Sequence, residues 1–177
     1  MRSGQILGIG IVLSAAALGA GLWYAQTRAY YVEIDAAAPA AEIFVTRFDG
    51  GEEPLLVTGF EGIDADTSPL RYRACFETPM SLAAMTETYL PYGEAEPLNA
   101  PGWFSCFDSG ELAAALDEGS ALAFLGQRNE PYGFDRVVAV TADGQGYSWP
   151  QINFCGEAAF GGDPLPPGCP PVPQRTE

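Results

Sequence analysis

The stretch ILGIGIVLSAAALGAGLW, Ile6–Trp23, divides the chain in two and decides how the rest is read. Its eighteen apolar or small residues carry no charge, and Arg2 stands before them, Gln26 and Arg28 after. Extended by Tyr24 and Ala25, the run is long enough for a helix to cross a bilayer. Trp23 and Tyr24 suit the membrane–water interface. A cleaved signal peptide is the competing reading. Arg2 would be its short positive n-region, and Ala15-Ala16-Ala17 or Ala17-Leu18-Gly19 its small-residue cleavage site. The run outlasts an ordinary signal core and continues into the aromatics, so the expectation is a retained anchor over residues 1–30.

Gly4 and Gly8 have the G-x-x-x-G spacing, and Ala15 and Gly19 repeat it. That pattern lets membrane helices pack closely, although glycine and alanine are common in such helices anyway.

Outward from the anchor, all 23 carboxylate side chains lie beyond Tyr30, against six arginines, so the soluble part carries a net −17. Such a surface repels nucleic acid and anionic headgroups. It suits solubility or a basic partner. The chain has no histidine and no lysine, which removes Ser-His-Asp and Cys-His catalysis and Schiff-base chemistry. Carboxylate pairs remain, but 23 carboxylates make accidental pairs inevitable.

The four cysteines, Cys75, Cys106, Cys155 and Cys169, all follow the anchor, and none forms C-x-x-C. In an exported domain an even count implies disulfides. Cys155 is the nearest partner of Cys169 in sequence, so Cys155–Cys169 and Cys75–Cys106 are expected, although four cysteines allow three pairings. Zinc ligation lacks paired ligands at close spacing, and no metal or cofactor is expected.

Within the soluble part, Tyr31–Ile34, Ile43–Phe48 and Leu55–Phe60 read as strands, and Glu61–Pro69 as an acidic turn. Leu70–Phe76 alternates, with Leu70, Tyr72, Ala74 and Phe76 on one face and Arg71, Arg73 and Cys75 on the other. Thr78 and Pro79 predict the start of a helix that ends before Pro91. Asp108 with Glu111 predicts a second helix, to Glu118. Ala121–Leu125 reads as a buried strand, and Asp135–Thr141 with Tyr147–Phe154 as a hairpin. The tail from Pro164 is proline-rich, with Cys169 pinning it as a strap.

These elements predict an α+β fold: an N-terminal transmembrane helix, then a small domain with a mainly antiparallel sheet, two short helices and two disulfides. The expected organisation is anchor 1–30, soluble domain 31–163 and proline-rich tail 164–177.

The densest charged group is Asp64, Asp66, Arg71 and Arg73. Asp64-Ala65-Asp66 opens like a calcium loop, but Pro69 stands where that loop needs glycine and Cys75 where it needs glutamate. The arginines on one strand face could grip a carboxylate or phosphate, or pair with Asp64, Asp66 or Glu77 inside the domain. The structural role is the one expected. Trp103, with Phe104, Phe107 and Trp149, forms either a recognition patch or core packing around a disulfide.

IDADTSPLRYRACF (63–76), TPMSL (78–82), APGWFSCFD (100–108), YGFDRVVA (132–139) and QINFCGE (151–157) together resemble a family of uncharacterised bacterial single-pass membrane proteins with a domain of unknown function. The resemblance implies an N-terminal anchor and a cysteine-bearing extracytoplasmic domain, and it brings no activity or catalytic residue.

The expected role is a non-enzymatic, membrane-anchored periplasmic domain, an accessory or partner-binding component of a membrane complex. Its N-terminus would lie in the cytoplasm, its anchor in the inner membrane and its C-terminal domain in the periplasm. The alternative is a small-ligand or anion-binding protein, or a carboxylate enzyme, built on the Arg71/Arg73 strand.

Overall fold

A computed structural model describes residues 3–173 of the chain, leaving out Met1, Arg2 and the last four residues. The chain forms two compact units, one ending at Tyr31 and one beginning at Val32.

The first unit is a helix, α1 (Ser3–Tyr24), continued by a π-helical turn over Ala25–Ala29. Its side chains are exposed along nearly its whole length. At 22 residues it runs about 33 Å, enough to cross a hydrocarbon core. By length and composition this one helix can span a membrane, a test that a signal sequence also passes. The Ser14 hydroxyl donates to Gly10 O at 2.9 Å and the Thr27 hydroxyl to Trp23 O at 2.8 Å. Both polar groups are thereby satisfied within the helix.

The second unit is built on a six-stranded sheet. Its strands are β1 (Val32–Glu33), β4 (Thr58–Asp64), β5 (Arg73–Glu77), β6 (Ala121–Gln127), β7 (Phe134–Thr141) and β8 (Gln145–Ile152). The order across the sheet is β1-β4-β5-β8-β7-β6, and every neighbouring pair is antiparallel. A hairpin of β2 (Phe44–Thr46) and β3 (Glu52–Pro54) makes a second, two-stranded sheet.

Alternation along β5 sets the two faces. Tyr72, Ala74 and Phe76 join the main apolar cluster with Val138 and Val140 of β7, Phe124 of β6 and Val45 of β2. Met85 and Tyr89 from helix α2 (Leu82–Thr88) and its C-cap close that cluster. On the opposite face Phe107 packs edge-on against Tyr147 and Trp149, at 5.8 and 6.2 Å between ring centroids. Phe107 leads into helix α3 (Ser109–Asp117), whose N-cap Asp108 accepts from the amides of Gly110 and Glu111. Both expected disulfides are present, Cys75–Cys106 and Cys155–Cys169.

The structure departs from the sequence expectations in several places, among them the expected strand Leu55–Phe60, which spans the gap between β3 and the start of β4. The first helix begins at Leu82, not Pro79, with Ser81 as its cap. Thr78 stands instead at the sheet's end, its amide donating to Gly144 O and its hydroxyl donating to Leu56 O and accepting from Met80 N. Glu61–Asp64 belong to β4 rather than to a turn, since Gly62 and Ile63 pair with Ala74 and Arg73. Strand β8 stops at Ile152, and Phe154–Gly161 form a further helix, α4. Asn153 caps α4 through Gly156 N, and Gly162, at φ 81°, ends it. Gly156 sits so tightly on Gly133 that an added Cβ would lie 2.1 Å from Gly133 O. The Cys155–Cys169 bridge and a bond from the Tyr132 hydroxyl to Pro170 O hold the tail to this corner.

Candidate functional site

Arg73 is buried, and its guanidinium lies among backbone oxygens. Nε donates to Leu98 O at 2.9 Å, Nη1 to Leu70 O at 2.7 Å and Tyr72 O at 2.6 Å, and Nη2 to Asn99 O at 3.0 Å. The ring of Phe107 stands 5.8 Å away. Arg73 thus ties β5 to the loop carrying Leu98 and Asn99, just as Cys75–Cys106 does two residues further on. Arg71 is half-buried on the same side of the chain, and Asp66 is exposed on the turn after β4. Trp103 is half-buried and lines a separate recess with Glu33, Glu61, Phe60 and Phe104. Phe104, Phe107 and Trp149 are core residues. Gly4, Gly8, Ala15 and Gly19 are exposed on α1.

The structure brings together a different constellation around Arg136 of β7. Register places Arg136 opposite Pro150 and Gln127, beside a bulge at Gly126. Bulges re-aim side chains, and this one lies at the mouth of a recess. Arg136 is in step with Val138 and Val140, so it occupies the sheet face that otherwise builds the apolar core. Its Cζ lies 3.5 Å from the centroid of the buried Tyr72 ring, a stacked cation–π contact. Nη1 is buried and has no hydrogen-bond partner among the described residues. No described carboxylate comes within ion-pair distance of this guanidinium.

The recess has a volume of about 280 Å³. Tyr72 and Ser148 form its buried wall, and Ile43, Phe44 and the turn at Pro39–Ala41 an apolar side. Glu42, Asp64 and Glu130 bring three carboxylates to it, Glu42 and Glu130 exposed and Asp64 half-buried. Burial lowers the Arg136 pKa, and the neighbouring Tyr72, Asp64 and Glu130 oppose that shift. An arginine so placed stays a cation. Burial pushes the Tyr72 phenol up to about 12, with Arg136 working against the shift and Asp64 with it.

Of the residues singled out in sequence, Asp64 alone lines this recess. The missed residue, Arg136, had a local signal: an arginine in the inward stripe of an otherwise apolar strand.

The chain belongs to the DUF6446 family. The model of this family, described as a family of unknown function, matches residues 43–170. The matched span holds Arg73, Arg136 and all four cysteines, and it starts after α1. No curated protein and no solved structure matches the chain. Family membership therefore assigns no role to the recess, and among the described residues no cluster suited to a metal accompanies it. What the arrangement offers chemically is charge recognition: a guanidinium 3.5 Å over a ring, lining a small cavity.

Proposed function

We propose that this DUF6446 chain is a membrane-anchored extracytoplasmic domain that binds a ligand rather than transforming one. The observation that carries this reading is Arg136, a half-buried cation that lines a formed cavity with no described carboxylate within ion-pair distance. Burying such a cation without acceptors costs free energy, and an anionic group on the ligand offsets that cost. Arg73 supports the same division of labour. Its donors are taken by backbone carbonyls, so it serves as scaffold.

The test is thermal unfolding of the full chain in neutral detergent micelles against a panel of small carboxylates. At least one should raise the Tm of the parent and not that of Arg136→Gln. Identical responses from the two proteins across the panel would sink the reading.

The anchor and compartment belong to the same proposal. Disulfides in the domain suit an oxidising, periplasmic compartment, and α1 then crosses the inner membrane with its N-terminus in the cytoplasm. The chain should remain in the membrane fraction after a high-salt wash, with the residues before Gly19 intact. A mature N-terminus just after Gly19 or Ala20 would instead show a signal peptide. The small residues Gly4, Gly8, Ala15 and Gly19 would let α1 pack closely against another membrane helix, which suits an accessory place in a membrane complex.

A further inference from the structure

We infer that the Arg136 recess takes a small zwitterion of the α-amino acid class, its carboxylate on Arg136 and its ammonium among Glu42, Asp64 and Glu130. This inference rests on reading the recess as a binding site and specifies what it binds.

Charge decides the class. The recess sets one cation against three carboxylates. A simple anion would gain Arg136 but add a like charge beside the three carboxylates already there. A phosphate dianion would fare worse. A simple cation would find the carboxylates and leave Arg136 without a counter-charge. A molecule with both charges a few bonds apart answers both demands and enters without net charge.

Size and shape agree. Cavities for drug-sized ligands run about 300–1,000 Å³, so a recess of about 280 Å³ suits something smaller. The Tyr72 ring lies 3.5 Å from the Arg136 Cζ, and a guanidinium fork is the partner a carboxylate meets with two parallel hydrogen bonds. Ile43 and Phe44 provide apolar surface for a side chain.

The test is isothermal titration of the full chain in neutral detergent micelles with glycine, L-alanine, L-valine and L-glutamate. Each is paired with its N-acetyl form, which lacks the ammonium, and its α-amide, which lacks the α-carboxylate. At least one free amino acid should bind, with both blocked forms weaker by about tenfold or more. Arg136→Gln should abolish binding, and Asp64→Asn should weaken it while narrowing the gap between free and N-acetylated forms. Far-ultraviolet circular dichroism and Tm confirm that each variant is folded, and the blocked ligands test the same point on the unaltered protein. If N-acetyl forms bind the parent as well as free amino acids do, the zwitterion is wrong and a plain carboxylate site stands. If no compound distinguishes the parent from Arg136→Gln, the zwitterion and the ligand-binding reading fall together.

Discussion

Arg73 and Arg136 are both arginines of one sheet, on opposite faces, and they meet opposite surroundings. Arg73 has backbone oxygens at 2.6–3.0 Å around its guanidinium. Arg136 has a ring beneath it, a cavity before it and a buried nitrogen without an acceptor. A buried cation whose donors end on the protein's own backbone holds two segments together. One that lines a cavity without a carboxylate partner is held ready for something else. The difference could not be read from residue type, since both are arginines in strands that build the core. It lies in what surrounds each guanidinium.

The largest expected effect falls on the scaffold arginine. Arg73→Met strips four backbone carbonyls of a charged donor, and stability should fall by about 4 kcal/mol in urea titration of the full chain. Next comes the bridge that joins the same two segments. Replacing Cys75 and Cys106 by alanine opens a loop of sequence separation 31, worth about 3.5 kcal/mol in the chain-entropy model. The Cys155–Cys169 loop, with separation 14, is worth about 3 kcal/mol on the same model. The order of these effects checks whether the Arg73 side of the sheet is the structural one.

A pH-dependent effect reports on the buried phenols. The phenols of Tyr72, Tyr89 and Tyr92 are all raised to about 12 from an ordinary value of 10.0, chiefly by burial. Below pH 10.0 folded and unfolded chains both keep these protons, and stability does not change on their account. As the pH climbs from 10.0 towards 12 the unfolded chain ionises first, and stability should fall. Arg136 opposes the shift of Tyr72, so Arg136→Met should move that phenol higher still. Phenolate absorbance during an alkaline titration reads this directly, with Tyr72→Phe identifying the group.

Much of the scaffold was legible. The alternation of Tyr72, Ala74 and Phe76 against Arg73 and Cys75 marked both faces of β5, because a strand's period of two needs no tertiary knowledge. The Asp108 cap was legible because a short polar side chain three residues before Glu111 is a local signal. Helix α4 was not. Tyr147–Phe154 reads as one continuous strand, and the case for turning at Asn153 rests partly on Gly156 meeting Gly133 from another segment. The recess was illegible for the same kind of reason. Asp64 ends β4, Tyr72 precedes β5 and Arg136 lies in the first half of β7, and only the strand order brings them together. Sequence pointed to the densest charges, Arg71 and Arg73, whereas the cation at the cavity stands alone in its strand.

The smallest expected effect falls on Arg136 itself. Arg136→Met removes a cation–π contact of about 1–2 kcal/mol and also removes the cost of burying an unmatched cation. In ligand-free buffer the unfolding free energy of Arg136→Met should lie within about 1 kcal/mol of the parent or above it. A loss as large as that of Arg73→Met would show that Arg136 holds the fold too, and would contradict the account.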